Sequence, residues 1–356
     1  SYAKCNIKSN NVFNVIRYKN KYNIYCKTII FLISIWRYVE RIYKMIIVDA
    51  HCDTITKIME TREELFSNKC HIDLERMTKV GKYVQFFAAF VDPAYGQAYA
   101  MKRAMQIIDR FYMEVEKNSS YISHCKNYQD ITDTIYNNKI AAILSIEGGD
   151  ALQGELSALR MFYKLGVRSI CLTWNHRNEI ADGVLDGSSG GGLTPFGKKV
   201  IEEMNRLGMI IDLSHISEKG FWDCMELTKK PLIASHSNAK KLCGHVRNLT
   251  DKQLCAIKEN GGVVGINFYP NFLRDDGTAA LKDILKHIEY MCSIIGTDHI
   301  GFGSDFDGIE SLPEGVEGVH SMENVLNELS KLNYSDDDLE KIAGLNFLRV
   351  VNMNLI

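Results

Sequence analysis

The stretch MIIVDAHCDTI, Met45 to Ile55, is an apolar, β-branched run that stops on an imidazole and a carboxylate two residues apart. A strand places residues i and i+2 on one face, so His51 and Asp53 point the same way and Cys52 points the other way, as a packing residue. The pattern recurs along the chain: IIVDAH (46–51), VQFFAAF (84–90), AAILSIE (141–147), RSICLTW (168–174), MIIDLSH (209–215), PLIASH (231–236), GVVGINF (262–268) and HIGFGSD (299–305). Between several of these lie amphipathic stretches such as PFGKKVIEEMNRLG and DILKHIEYMCSIIG, with apolar residues at helical spacing and a closing glycine. Near-continuous apolar strands separated by helices imply a parallel sheet covered on both faces. Eight such units close into a TIM (β/α)8 barrel of the α/β class.

In that fold the active site sits at the carboxyl ends of the strands. The residues ending these runs are His51 with Asp53, Glu147, Trp174 to His176, His215, His236, Tyr269 and Asp305. A lone buried histidine is most simply a hydrogen-bonded core imidazole, and a lone HxD is a weak signal. Jointly, three imidazoles and two carboxylates at strand ends form the mixed N/O set that zinc and similar divalent ions accept. Five ligands exceed one open tetrahedral site and suit two ions about 3.5–4 Å apart, bridged by a carboxylate. Glu147, in SIEGG with glycines that allow close approach, is the expected bridge. His299 begins its run and belongs to the opposite, stability end. His124, His287 and His320 receive no role, and His71 and His245 are loop residues with little stronger claims.

The 356 residues are 46% hydrophobic and 24% charged, with net charge -2 and a pI near 6.6. Such a chain can bury a large core, and its charge gives no reason to expect a nucleic-acid or anionic-lipid partner. The ten cysteines are scattered without a CxxC pair, which reads as reduced thiols. Residues 1–44 lack Gly and Pro, and their TIIFLISIW run is too short to span a bilayer and has no small-residue cleavage site after it. The expectation is that the catalytic domain runs from 45 to 356, that 1–44 is an upstream extension outside it, and that the protein is cytoplasmic. A membrane anchor or signal is the alternative.

The segments DAHCDT, SIEGGDAL, LTWNHRNEIADG, GLTPFGKKVIEEMNRLGMIIDLSHIS, ASHSNAKKLCGHVRN and GFGSDFDG together resemble the renal (membrane) dipeptidase family, metallopeptidases of the amidohydrolase superfamily. The resemblance runs in order from about Met45 to GLNFLRV near the carboxyl end. It implies binuclear zinc ligands at His51, Asp53, Glu147, His215 and His236, with Glu147 bridging. It implies proton transfer by Asp305, a substrate carboxylate held by Arg247, and Tyr269 in the pocket wall, although an aromatic there can equally be packing. The family commonly reads LTHN where this chain has Leu172-Thr173-Trp174-Asn175. Strand periodicity would let His176 take the displaced histidine's place in binding the scissile carbonyl, provided that the strand continues so far.

The expected reaction is hydrolysis of dipeptides by a hydroxide shared between two divalent ions, probed at its proton-transfer step by Asp305. Arg247 offers a planar fork suited to a free carboxyl terminus. Asp307, followed by Gly308, reads as structural. The resemblance further implies tolerance of a D residue at the second position and a homodimer. Two alternatives stand beside this reading: a hydrolase of cyclic amides or lactones on the same metal barrel, and a binding module that retains the fold. Asp53 and Glu147, where many amidohydrolases use HxH and a carbamylated lysine, disfavour the first. The intact ligand set and Asp305 disfavour the second.

Overall fold

Why eight runs become a closed wall is visible in the ladders of the computed structural model, which describes residues 45–355; the expectations for 1–44 lie outside the described residues. The strands are β1 (Ile46–Cys52), β2 (Lys82–Phe90), β3 (Ile122–His124), β4 (Ile140–Glu147), β5 (Val167–Cys171), β6 (Ile210–Asp212), β7 (Ile233–Ala234), β8 (Val263–Ile266) and β9 (Ile300–Phe302). All pairings are parallel, in the order β2-β1-β9-β8-β7-β6-β5-β4, and β2 closes the ring on β4. Each of the eight expected runs therefore holds one barrel strand. The ninth strand, β3, was not anticipated. It pairs with β4 at residues 140–142, on the edge that β5 takes over from Leu144. Three residues, ISH, carry no periodic signal.

Val48, Ala50, Val84, Phe86, Ala141 and Ile143 form the inner cluster. Phe347, Val350 and Val351 of helix Asn346–Asn354 join that cluster and close the end of the barrel where the strands begin. A larger apolar layer between sheet and helices includes Ile47, Cys52, Phe87 and Leu144. Helix Pro195–Leu207 shows how sequence marks its own ends: the Thr194 hydroxyl accepts from Gly197 N, Pro195 opens the first turn, and Gly208 (φ 75°) closes it. Among the described residues no helix is long and apolar enough to cross a membrane, and all eight cysteines are free.

Two departures from regular pleating aim the site. Between Asp49 and Cys52, β1 advances three residues while β2 advances only from Gln85 to Phe87, so β1 carries an extra residue. Without this bulge, alternation from Val48 and Ala50 would turn His51 away from the interior. In β7 the ladder stops at Ala234, and the chain swings inward at Ser235 to deliver His236. Room for that swing comes from glycines: a Cβ on Gly265 or Gly303 would lie 2.0 or 1.7 Å from the Ser235 carbonyl oxygen.

Gly303→Ala is therefore expected to destabilise the protein by about 1–3 kcal/mol, the usual cost of overpacking. Urea unfolding measures this, and an unchanged midpoint would remove close backbone approach as the reason for glycine at this position.

Candidate metal centre

The expected strands for β5 to β9 overran the observed ones at their carboxyl ends, most plainly at MIIDLSH, where β6 is only Ile210–Asp212, and at HIGFGSD, where β9 is only Ile300–Phe302. The residues with chemistry leave the ladder, and side chains replace the lost backbone pairing. Asp212 Oδ1 accepts from Ser214 N (3.0 Å) and Ser235 N (2.9 Å), tying the end of β6 to that of β7. Asp49 does the same for β1 and β9: Oδ1 accepts from Ser304 N (2.9 Å) and Oδ2 from the Ser304 hydroxyl (2.5 Å). His215 and Asp305 sit at φ 67° and 62°, left-handed values that non-glycine residues avoid at a cost of about 1–3 kcal/mol. Such outliers persist where the surroundings over-determine the backbone, as these tethers do.

Four side chains converge around Glu147, which ends β4 and is 4% exposed. Its Oε2 lies 3.5 Å from His51 Nε2, which is itself 3.2 Å from Asp53 Oδ2. Its Oε1 lies 2.9 Å from His215 Nε2 and 3.5 Å from His236 Nε2, with those two nitrogens 2.8 Å apart. Each carboxylate oxygen thus faces its own pair of donors. The ligand atoms of His51, Asp53 and Glu147 lie within 4.8 Å of one another, as do those of Glu147, His215 and His236.

The cluster fits a divalent cation. Asp53 Oδ1 is buried without a hydrogen-bond partner. His215 Nδ1 faces Asn175 Oδ1 at 2.8 Å, so its N–H donates there and Nε2 is left as a lone pair aimed at the centre. His236 Nδ1 is likewise bonded to the Ser235 hydroxyl, at 2.7 Å. Burial, then the charge of Arg247, pushes His215 down to about 3; burial, then His51, holds His236 well below its ordinary value. Two neutral imidazole nitrogens facing each other at 2.8 Å repel unless a proton or cation stands among them. Burial, reinforced by Glu147, raises Asp53 to about 7. Burial opposes charge on Glu147 too, but His51 and the hydrogen bonds from His215, His236 and His51 outweigh it, and the carboxyl stays well below the usual range. On His51, burial is outweighed by Glu147 and Asp53, and the imidazole is held well above its ordinary value.

Asp305 stands beside this cluster, its Oδ1 3.7 Å from His51 Nε2 and its Oδ2 accepting from Asn267 Nδ2 at 2.8 Å. Burial raises its pKa, against the pull of His51. Gly308 permits this approach, since a Cβ there would lie 2.2 Å from Asp53 Oδ2 and 2.6 Å from Asp305 Oδ1. Asp307 is engaged elsewhere, accepting from Thr54 Oγ1 and from His71 N, each at 2.6 Å. A cavity of about 530 Å³ opens over the cluster, within the range of about 300–1,000 Å³ common for small ligands. Arg247, Tyr269, Trp174 and Phe90 line it along with Asp53, Glu147 and Asp305. Arg247 is 5% exposed, donates from Nη2 to His236 O (3.2 Å), and has no carboxylate within 4 Å among the described residues.

His176 is not brought into this group. Its side chain is 57% exposed and faces Asp186 at 3.6 Å, and it does not line the cavity. The reason is physical: β5 ends at Cys171, so strand alternation no longer operates at positions 174 and 176. Trp174 holds the wall instead, its ring 5.4 Å from Phe90 and 6.1 Å from His215. The sequence reading missed Asn175, Ser235, Asn267, Asp49 and Asp212. Asn267 was within reach of the strand-end rule that selected Tyr269, and the two aspartates stand two and three residues before metal-facing histidines, in VDAH and IDLSH.

Comparison with known proteins gives the chain a family. The model of the membrane dipeptidase family (peptidase family M19) matches residues 37–354. An uncharacterized dipeptidase of Schizosaccharomyces pombe is 36% identical over 296 residues, covering 79% of this chain and 71% of that protein. The dipeptidase aclJ of Aspergillus oryzae is 36% identical over 291 residues, covering 79% and 69%. Among solved structures, a metallo peptidase from Rhodobacter sphaeroides liganded with a phosphinate mimic of the dipeptide L-Ala-D-Ala aligns with TM-score 0.80 at 27% identity, covering 87% of this chain and 99% of that one.

Asn175→Ala is expected to weaken metal affinity by about 10- to 100-fold, the typical cost of losing a ligand's orienting partner, whereas His176→Ala should leave both metal content and kcat near wild type; competition with a chelator and initial rates read the two. Both His51, held above its ordinary value, and Asp53, pushed up to about 7, favour a proton in the metal-free cluster, so cation binding displaces protons and affinity should fall as pH drops toward and through about 7. Affinity that is flat across this range would contradict the cluster's proton balance.

Proposed function

This chain belongs to the membrane dipeptidase family and is a metallo-dipeptidase, and from that premise we propose that it is a zinc-dependent enzyme of two metal ions that cleaves dipeptides carrying a free carboxyl terminus, L,L and L,D alike. One observation carries the proposal: Glu147 turns one carboxylate oxygen to His51, which faces Asp53, and the other to His215 and His236. That division suits a carboxylate shared by two ions, with donor types that zinc accepts. When bound, such ions acidify a shared water toward neutrality and polarise the peptide carbonyl.

The chain's own residues supply the rest. Asn267 restrains one oxygen of Asp305, leaving Oδ1 toward the ligand cluster, where it takes a proton from the attacking water and returns it to the departing amine. Its raised pKa brings the carboxyl closer to the pH at which it must both accept and donate. Arg247, a cation in the cavity wall with no carboxylate partner among the described residues, binds the substrate's carboxylate; a buried guanidinium without a counter-ion is costly, and substrate supplies the counter-ion. The loop following β7 carries Arg247, and Phe90 ends β2, directly across the ring. A dipeptide therefore spans the ligand cluster, with its carboxylate toward Arg247 and its first residue toward Phe90 and Trp174. The bound mimic of L-Ala-D-Ala in the Rhodobacter sphaeroides relative supports acceptance of a D residue at the second position.

Metal-replete protein is expected to hydrolyse a panel of L,L and L,D dipeptides, and the chelated sample to be inactive; hydrolysis that survives chelation refutes the assignment. Asp305→Asn should lower kcat by about 10²- to 10⁴-fold, the usual worth of a positioned acid/base. Arg247→Gln should raise KM for dipeptides by about 10- to 100-fold, as expected for a charged hydrogen bond.

A further inference from the structure

Asp305 leaves the end of β9 on a left-handed backbone, and Asp307 two residues later does the same (φ 62° and 69°). Each costs about 1–3 kcal/mol, so the loop from Ser304 to Gly308 keeps its course only if it is tied along its length. The near end is tied, since the Ser304 amide and hydroxyl both donate to Asp49. The middle is bonded to the first strand's end, with Asp53 N donating to Phe306 O at 2.9 Å. The far end is gripped from helix Thr54–Thr61 and from the loop between it and helix Leu74–Val80.

That grip is two-sided. Asp307 Oδ2 accepts from the Thr54 hydroxyl and Oδ1 from His71 N, each at 2.6 Å. In return, Asp307 N donates to His71 Nδ1 at 3.0 Å. A backbone N–H at that nitrogen requires a lone pair there, so His71 is the neutral tautomer with its proton on Nε2. Burial favours the same form, holding the imidazole below its ordinary value against the pull of Asp307. The ring also meets Phe306 edge to face, centroids 5.8 Å apart, and His71 O accepts from Val319 N at 3.0 Å. With the Asp307 side chain 1% exposed, water competes little for these bonds. What the grip controls is the spacing of two other carboxylates. Asp53 Oδ2 and Asp305 Oδ1 both crowd Gly308, where a Cβ would lie 2.2 and 2.6 Å from them. Like charges so near repel, and burial already pushes both carboxyls up. Thr54 directly follows Asp53, and Asp307 stands two residues after Asp305, so the Thr54–Asp307 bond fastens together the two segments that carry them.

We infer that His71 is a positioning residue for proton transfer: its Nδ1 holds the Asp307 amide, and through it the left-handed turn that keeps the Asp305 carboxylate at a fixed distance from Asp53. The inference rests on the reading that Asp305 carries the proton. Asparagine is the informative replacement, because its Oδ1 falls close to the place of Nδ1 and can only accept.

Kinetics of His71→Ala, His71→Asn, Asp305→Asn and the double variant His71→Ala/Asp305→Asn on one dipeptide test it, with metal content measured for each. His71→Ala should lower kcat about 5- to 10-fold, the worth of about one neutral hydrogen bond, at unchanged KM and metal content. His71→Asn should restore kcat, and in the Asp305→Asn background the alanine change should cost nothing further. If Asp305→Asn keeps its full kcat, the proton-transfer reading itself falls. If Asp305→Asn is impaired but His71→Ala is not, or His71→Ala loses metal, or it costs the same in both backgrounds, positioning by His71 is overturned while the reading of Asp305 stands. Failure of asparagine to restore the rate overturns it equally. Should His71→Ala not fold, His71→Gln, which keeps the bulk but carries its amide past the Nδ1 position, replaces it in the same comparisons, and a wild-type kcat there sinks the inference.

Discussion

A carboxylate buried as deeply as Glu147 stays ionised only if positive charge or directed N–H groups compensate for the water it has lost. Here three imidazoles crowd it, and they are bases of the kind that ligate metals rather than permanent cations. His51 and the hydrogen bonds answer Glu147 itself, but the other two imidazoles are driven neutral by their burial, and the deficit falls on Asp53 and Asp305, whose carboxyls are pushed up. A bound cation would resolve the deficit. Much of the barrel's upper geometry follows from keeping these five side chains in place against mutual repulsion and steric cost.

That requirement explains where the regular structure gives way. A TIM barrel built only of ladders would point side chains alternately in and out along straight strands. To bring four strand ends onto one small cluster, β1 takes in an extra residue, β7 shrinks to two, and His215 and Asp305 adopt left-handed backbone. Lost ladder bonds are replaced by Asp49 and Asp212, each gripping the end of the neighbouring strand. The lower half has no such demands, and there the inner cluster with Phe347, Val350 and Val351 is plain apolar packing. Regularity below supports strain above.

Legibility in the sequence follows the same division. The eight strands were readable because a strand buried on both faces must be apolar throughout, which leaves runs such as AAILSIE and GVVGINF. The residues now grouped around Glu147 were readable because polar side chains that end such runs have one expected location in this fold. What the pattern did not reveal was local backbone: the bulge in β1, the early end of β5, and β3, whose three residues pair with β4 without any apolar period of their own. The expectation for His176 relied on strand alternation three to five residues past the point where the strand stops, and the ring accordingly stands toward Asp186. Asn175 was overlooked because nothing in a sequence distinguishes an asparagine that orients a ligand from one that ends a turn.

The separation of charge across the cavity bears on why a short peptide is the fitting substrate. Glu147, Asp53 and Asp305 gather three carboxyl groups at the ligand cluster, and divalent ions bound there would make it locally positive. Arg247 is a fixed positive charge in the same wall, one loop away, paired with no carboxylate among the described residues. A peptide carbonyl placed at the ions thus has its carboxyl terminus within reach of the guanidinium only if few atoms separate the two groups. In a longer chain the corresponding place would be an uncharged amide, which would forgo the charge-assisted pair with Arg247. On the proposed role of Arg247, discrimination against longer substrates would come less from the volume of the cavity than from the ion pair that only a free carboxyl terminus can form.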